Sequence, residues 1–465
     1  MLIISRQGSQ GVSISGDDQE TDRRVSRRAF GLGLGAVGGV GALTVVGAEG
    51  AEANTDPSVY SVDVKTYGAK GDGVADDSDA IRAAVAAAIS GRSSGVAQKE
   101  VFFPPGNYRV TKKDTLMWSP TTGSADQIFG LRFRGAGPRV TNIKFDTTFT
   151  ANADPRENNL ITAAVRLRYT YFEDMSFTST NSANNFAYYW SVNSIATDSI
   201  YPAYGAGQNQ YFVYRNIEWK GAWNRVIGLD GDKYANNNSE HHFILCSTDT
   251  VSYFGDAFLH CGVTNPAGHK QQDQFLNYFF LSCNFAIAHG DLLKFSRGGS
   301  INVYGGSWSM VGTGTARYFV LEYTADGDVT GARLNVNGVR FEPKKSTNQK
   351  IIDCDWNRGN VTFTSCSDVA AIQDSAGFLN FHRYSGGGSG KLPIVRYQDC
   401  ALGGWHLVEA DGATLTNGKL IYEGCRFQHT STAVSDTAGT AFLRYNANPR
   451  RYAFRDSWAT ADVSG

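Results

Sequence analysis
From about residue 165 onward, one pattern of apolar and polar positions recurs: an apolar or aromatic strand, a small or polar corner, then Phe or Trp. Examples stand at 171–177, 213–219, 280–285, 303–308, 336–341, 421–427 and 454–458, and where neighbouring copies are both among them they lie about 24 to 42 residues apart. Short alternating strands at that period, with no helix between them, predict a solenoid in which each strand stacks on its counterpart one turn away. A second pattern lies between the corners, at 226–229, 258–261, 292–295, 320–323, 351–354, 378–381, 407–410 and 442–445. Its second and fourth residues are apolar, so strand alternation turns them to the core and sends the first and third outward. The third positions then form an outward stripe of Gly228, His260, Lys294, Glu322, Asp353, Asn380, Glu409 and Arg444, with neighbours about 4.8 Å apart. The first positions (Phe258, Leu292, Ile351, Phe378, Leu407, Phe442) form an apolar outward stripe that needs cover, which leaves a monomer or a homotrimer open.

The chain opens differently. Residues 64–73 read as an apolar strand and a Gly-rich turn, followed by Asp76-Asp77-Ser78 and an Ala-rich helix with Ile81, Val85 and Ile89 on one face. A strand with a tight turn follows at 101–110, and Leu131-Arg132-Phe133-Arg134-Gly135-Ala136-Gly137 comes next. These three elements, in this order over about residues 60–145, resemble the opening of the pectate-lyase-type β-helix superfamily, which includes polygalacturonase-like and tailspike-like proteins. The resemblance implies an all-β fold, a right-handed parallel β-helix with an N-terminal capping helix. It also implies that Asp72, Asp76 and Asp77 are structural, since carboxylates ahead of a helix satisfy its first amides and its dipole.

Residues 1–53 are read as a targeting segment. Ser26-Arg27-Arg28-Ala29-Phe30 opens a weakly hydrophobic stretch with six glycines between Gly31 and Gly41, and Ala51-Glu52-Ala53 presents small residues at a cleavage site. This resembles a twin-arginine export signal cut near Ala53, with a secreted destination, extracellular or periplasmic. The glycines make a membrane anchor the weaker alternative. Residues 54–465 are then a single β-helix domain, with cap and first rungs at about 60–145 and main coils at about 165–465. Length alone, 465 residues, would also allow two domains; the repeat decides for one. With 43 basic and 44 acidic side chains, nothing points to nucleic acid or to a membrane surface for the mature form. Seven cysteines without close pairs read as buried thiols, five of them (Cys246, Cys283, Cys366, Cys400, Cys425) at one corner of the repeat. Disulfides between rungs are the alternative.

Ionisable groups on consecutive rungs suit a polysaccharide, because a polymer can lie across several of them. The candidate catalytic residues are Asp256, Asp291, Glu322, Asp353, His260 and Lys294. Carboxylates on neighbouring rungs can part into an acid and a base, as glycoside hydrolysis requires. A Lys or Arg beside them could instead abstract the proton next to a uronate, with calcium on the substrate's acid. Hydrolase, needing no cofactor, is somewhat favoured over a lyase with calcium. The chain shows neither the paired-Asp and Gly-His-Gly set of polygalacturonases nor an Arg-bearing calcium strand like that of pectate lyases. Substrate-binding candidates are Arg297, Trp223, Trp356 and Glu409, with Trp190 and Trp405 also free to stack on sugar. Asp230, Asp232, Glu240, His241 and His242 form a further polar cluster, expected on a loop. The alternative to an enzyme is a non-catalytic glycan-binding or surface-structural β-helix, adhesin-like or tailspike-like.

Overall fold
The computed structural model describes residues 60–459 except 91–96, 98, 120–126, 164–165, 192–208, 232–237, 251, 265–276, 297, 313, 324–330, 344–347, 369–379, 389–391, 404, 409–418, 428–433, 436–442, 446–451 and 457. All described residues belong to the unit Asn54–Gly465; residues 1–53, expected to be a targeting segment, lie outside them. The chain winds as a right-handed parallel β-helix, and every strand pairing along it is parallel. Three columns of strands run its length. The first passes from Ser61–Asp63 through Asn238–Ile244, Tyr278–Leu281 and Ser300–Tyr304 to Tyr452–Arg455. The second starts at Asp72–Asp76 and includes Asn284–Ile287 and Ser307–Met310. The third includes Tyr253–Cys261, His289–Phe295, Ala316–Leu321, Gln349–Cys354, Asn380–Tyr384 and Trp405–Val408, one per rung.

Like residues stack on like in the interior, because a parallel register carries each inward side chain onto its neighbour one rung away. Phe133, Phe172, Tyr214, Phe243 and Phe280 form a continuous column of stacked rings, with centroids 4.6–5.3 Å apart at successive steps. The corner after the first column is made by one residue in the left-handed region on rung after rung: Asp174, Asn216, Leu245, Ser282, Ser365, Asp399 and Asp456 have φ between 48° and 57°. Where it is described, the next residue points in; at four of these corners it is a cysteine, and a fifth corner cysteine, Cys425, follows Gly424 at φ 62°. Each thiol donates to a carbonyl of the rung before, as from Cys246 to Tyr214 O at 3.2 Å and from Cys425 to Tyr397 O at 3.4 Å. All seven cysteines are free and buried.

The capping helix spans Ser78–Ser90 and buries Ile81, Ala84, Val85 and Ala88. Its acidic motif is structural. Asp77, buried, accepts from the amides of Lys70 at 2.6 Å and Gly71 at 3.1 Å, while Asp76 accepts from Ser78 N at 3.1 Å and Thr111 Oγ1 at 2.7 Å. These bonds close the Gly-rich turn onto the helix start. Among the described residues, no helix is long and apolar enough to cross a membrane.

The third column departs from simple alternation. Leu292 and Leu293 are consecutive, yet both are fully buried in the core, and Phe258 with Leu259 and Ile351 with Ile352 repeat this. The chain therefore turns a corner between the two residues of each pair, and Phe258, Leu292 and Ile351, expected on an outward apolar stripe, face the interior; Leu407 is half-buried on the outward row beside Arg383, and Phe378 and Phe442 lie outside the described residues. That stripe gives no reason for a trimer: Phe258 packs against Trp219, Phe243 and Phe285. The corner leaves two outward rows instead of one. Arg225, Ala257, Asp291 and Arg317 precede it, and Gly228, His260, Lys294, Val320, Asp353 and Arg383 follow it.

Candidate functional site
The outer face of the third column carries a chain of ionised groups across successive rungs. Gly228 lets it begin, since a Cβ there would lie 2.8 Å from Nη1 of Arg225 and 3.2 Å from the Tyr188 ring. Arg225 therefore lies flat across this position and donates from Nε to Oδ2 of Asp256 at 3.0 Å. The same oxygen receives Nδ1 of His260 at 2.7 Å, and Oδ1 receives Nζ of Lys294 at 3.4 Å. On its other side, Nε2 of His260 is 2.9 Å from Oγ of Ser296, which donates to Oε2 of Glu322 at 2.5 Å. Ser296 gives its one hydrogen to Glu322, so it accepts from His260. Lys294 also stands 3.7 Å from Oε1 of Glu322. Asp256 and Glu322 thus share a lysine directly and a His–Ser relay at the back.

A second branch continues along the coil. Arg317 grips Asp291 with two parallel bonds of 2.8 Å and reaches Asp353 at 3.0 Å. Arg383 then donates to Asp353 at 2.6 Å and to Asp355 at 3.1 Å. Bidentate pairing of this kind fixes geometry as well as charge. Gly290, at φ 94°, turns the chain just ahead of Asp291, where a Cβ would strike Phe254 O at 2.1 Å.

The two aspartates on neighbouring rungs are driven apart electrostatically. Burial alone would raise Asp256, but its bond to His260 and the charges of His260, Arg225 and Lys294 outweigh burial and hold it well below the carboxylate range. Burial raises Asp291, and Arg317 only partly offsets this. Exposure separates the carboxylates too: the Glu322 side chain is 36% exposed and that of Asp256 21%, against 7% for Asp291. Of these three carboxylates, Glu322 and Asp256 are the more open to solvent.

The structure brings together Asp256, His260, Lys294 and Glu322, and places Asp291 and Asp353 beside them. The route differs from the expected stripe. Lys294 pairs with Val320 and Asp353 with Arg383, so Glu322 and Asn380 are not the third-position residues of their rungs; Leu407 takes the position expected for Glu409. Glu322 instead follows its strand and bends back. Arg297 and Glu409 lie outside the described residues, as do Asp232 and the side chains of Trp190 and Trp405. Trp223 and Trp356, expected to stack on sugar, are fully buried in the core: an indole beside a corner fills the coil. The cluster expected on a loop lies in strands, where His241 is fully buried and stacks on Phe212 at 4.6 Å, and buried Asp230 accepts from Tyr188 at 3.0 Å. Sequence reasoning missed Arg225, Ser296, Arg317 and Arg383. Arg225, Asp291 and Arg317 share one place, just ahead of the apolar pair; a template begun one residue earlier would have taken in Arg225 and Asp291, and Arg317 only with the two-residue slip at 320–323 removed as well.

No curated protein matches the chain by sequence. Among solved structures it is similar to the mannuronan C-5 epimerase AlgE4 A-module of Azotobacter vinelandii, with 13% identity, 85% of this chain and 95% of that chain covered, and a TM-score of 0.38. It is also similar to the catalytic unit of the GH87 alpha-1,3-glucanase of Streptomyces thermodiastaticus, with 13% identity, 86% and 70% covered, and a TM-score of 0.37. A third is the surface protein and adhesin PfbA of Streptococcus pneumoniae, with 10% identity, 85% and 100% covered, and a TM-score of 0.37. The family model described as rhamnogalacturonase A/epimerase, pectate lyase-like, matches residues 61–302, more than half of the sequence, and the chain belongs to that family.

Proposed function
We propose that this chain is an exported polysaccharide-cleaving enzyme, a glycoside hydrolase, that binds its polymer across the rungs of the third column. The observation behind this reading is the pair Asp256 and Glu322, held on one outer face by a shared Lys294 and joined through His260 and Ser296. The two lysine contacts put the facing oxygens within about 7 Å of each other, close enough to flank one glycosidic bond. Asp256, kept ionised, stabilises developing positive charge or activates water. Glu322, the more exposed and so the one open to protons from solvent, acts in its protonated form as the acid at the leaving oxygen. Lys294 turns its hydrogens to both carboxylates, the opposite of what a proton-abstracting lyase base requires. A calcium-assisted reaction also fits poorly: calcium takes roughly six to eight oxygen donors, whereas Asp256, Asp291 and Asp353 are each already paired with Arg or Lys. The leader at 1–53, with the single coil domain at 54–465, supplies the route out of the cell.

The test is a glycan panel assayed for new reducing ends and for the absorbance of unsaturated uronates. Reducing ends without that absorbance are expected. Glu322→Gln and Asp256→Asn should each lower turnover by about 10²- to 10⁴-fold while binding survives. Binding without turnover on every polymer, or variants within a few-fold of wild type, would overturn the hydrolase reading in favour of a glycan-binding coil.

A further inference from the structure
Inside the coil, behind the end of the outer row where Arg383 stands, three metal-ligating side chains converge. Asp368 follows the second column, while His382 and His406 pair in register on adjacent rungs of the third and point inward. All three are at most 1% exposed. Their ligand atoms lie within 4.8 Å of one another, and the two imidazole centroids are 4.0 Å apart. Nε2 of His382 stands 3.0 Å from Oδ2 of Asp368.

Each side chain is held from behind. Nδ1 of His382 meets the Tyr397 hydroxyl at 2.9 Å, Nδ1 of His406 meets that of Tyr422 at 2.8 Å, and Gly403 N donates to Oδ1 of Asp368 at 2.5 Å. A metal-binding imidazole has this arrangement: one nitrogen gives its hydrogen to an outer partner, which fixes the tautomer and turns the other nitrogen's lone pair to the ion. The two tyrosines are themselves stacked at 5.2 Å, and Tyr397 is tied to Tyr384 through their hydroxyls. The outer partners are therefore as rigid as the ligands.

Charge points the same way. Asp368 sits in an aromatic interior, and among the described residues no Lys or Arg lies within ion-pair distance of it. A buried carboxylate is costly unless it is compensated. An imidazolium on His382 would compensate it only in part, whereas a divalent ion would compensate it fully and draw in His406 as a further donor. We infer that Asp368, His382 and His406 bind a divalent first-row transition ion, zinc foremost, inside the coil. The donor set of two imidazoles and one carboxylate suits zinc and is too nitrogen-rich for calcium or magnesium. With the ligands sealed from solvent, the ion enters as the rungs close and acts structurally.

The full chain, purified without chelator or affinity metal, should carry stoichiometric zinc by inductively coupled plasma mass spectrometry. Chain produced in cobalt-supplemented medium should show the visible d–d bands of cobalt bound to nitrogen and oxygen. His406→Gln should abolish both. Should that variant fail to fold, Tyr422→Phe keeps every ligand and removes only the outer partner, so its metal affinity should fall about 10- to 100-fold in chelator competition. A wild-type chain without stoichiometric transition metal, lacking cobalt bands and melting identically with and without chelator, would overturn the inference and leave a buried imidazolium–carboxylate pair. So would cobalt bands unchanged in His406→Gln.

Discussion
Asp256 shows how much a single side chain carries in this fold. It accepts from Arg225, His260 and Lys294, and its carboxyl is held well below its ordinary value by those partners despite burial. Its folded-state pKa lies below its unfolded one, so the unfolded chain binds that proton more tightly. The stabilisation is therefore complete above about pH 4 and is lost as pH falls below it. Asp256→Asn should accordingly cost most near neutral pH and progressively less in acid, as read from thermal melting across that range; an equal loss at every pH would show that the charge contributes nothing. Trp223 makes the converse case. It is fully buried, and its indole nitrogen donates to Lys220 O at 2.9 Å. Trp223→Ala should cost about 3–5 kcal/mol in denaturant unfolding, and glycan binding by the folded fraction should not change. A selective loss of binding without loss of stability would return this residue to the sugar site.

At the scale of the element, the corner is what the sequence discloses best and the third column what it discloses least. The corner imposes one demand on the described rungs, a left-handed residue followed by an inward apolar one, so Asp174-Met175, Asn216-Ile217, Ser365-Cys366 and Asp399-Cys400 are visible as a repeat without any structure. Asp and Asn tolerate that conformation, and Asn216 adds a bond of its own to Asp174 at 2.8 Å. Leu245 breaks the rule, with φ 54° and more than half its surface exposed. Leu245→Asn should therefore stabilise the chain by about 0.5–1 kcal/mol, read as a raised Tm; a lowered one would mean that Leu245 has contacts worth more than its backbone strain. In the third column, simple alternation was the wrong rule. Two consecutive inward residues, such as Leu292 and Leu293, look the same in sequence whether a strand runs straight or turns between them. A template of alternating faces then slips freely: at 320–323 and 407–410 by two residues, and at 378–381 by three. His260, Lys294 and Asp353 fell where expected because their rungs kept the register. Glu322 reached the site only through its bend after the strand; Arg225 and Arg317 were invisible because their row exists only where the corner does, and Arg383 was hidden by the three-residue slip.

Across the whole molecule, the cysteines and the leader bear on one question: the compartment in which the coil closes. Burial pushes the thiols of Cys246 and Cys261 well above their usual range, so as long as the coil is closed they are poor nucleophiles and poor targets for oxidation. While it is open, five cysteines destined for one stacked corner would meet as reactive thiols. Wrong pairs formed at that stage would block the rungs from stacking. A coil that closes before it meets an oxidising compartment avoids this, and the proposed twin-arginine route, which passes folded proteins, would provide that order. Two measurements follow from the same reasoning. Thiol titration of the secreted chain under denaturant should count seven free groups, and three disulfides would contradict both the burial and the order of events. Replacing Arg27 and Arg28 together with Lys should strand the precursor inside the cell. If that variant is secreted as before with its seven thiols intact, the coil closes fast enough to protect them on any route, and the arginines have no part in that protection.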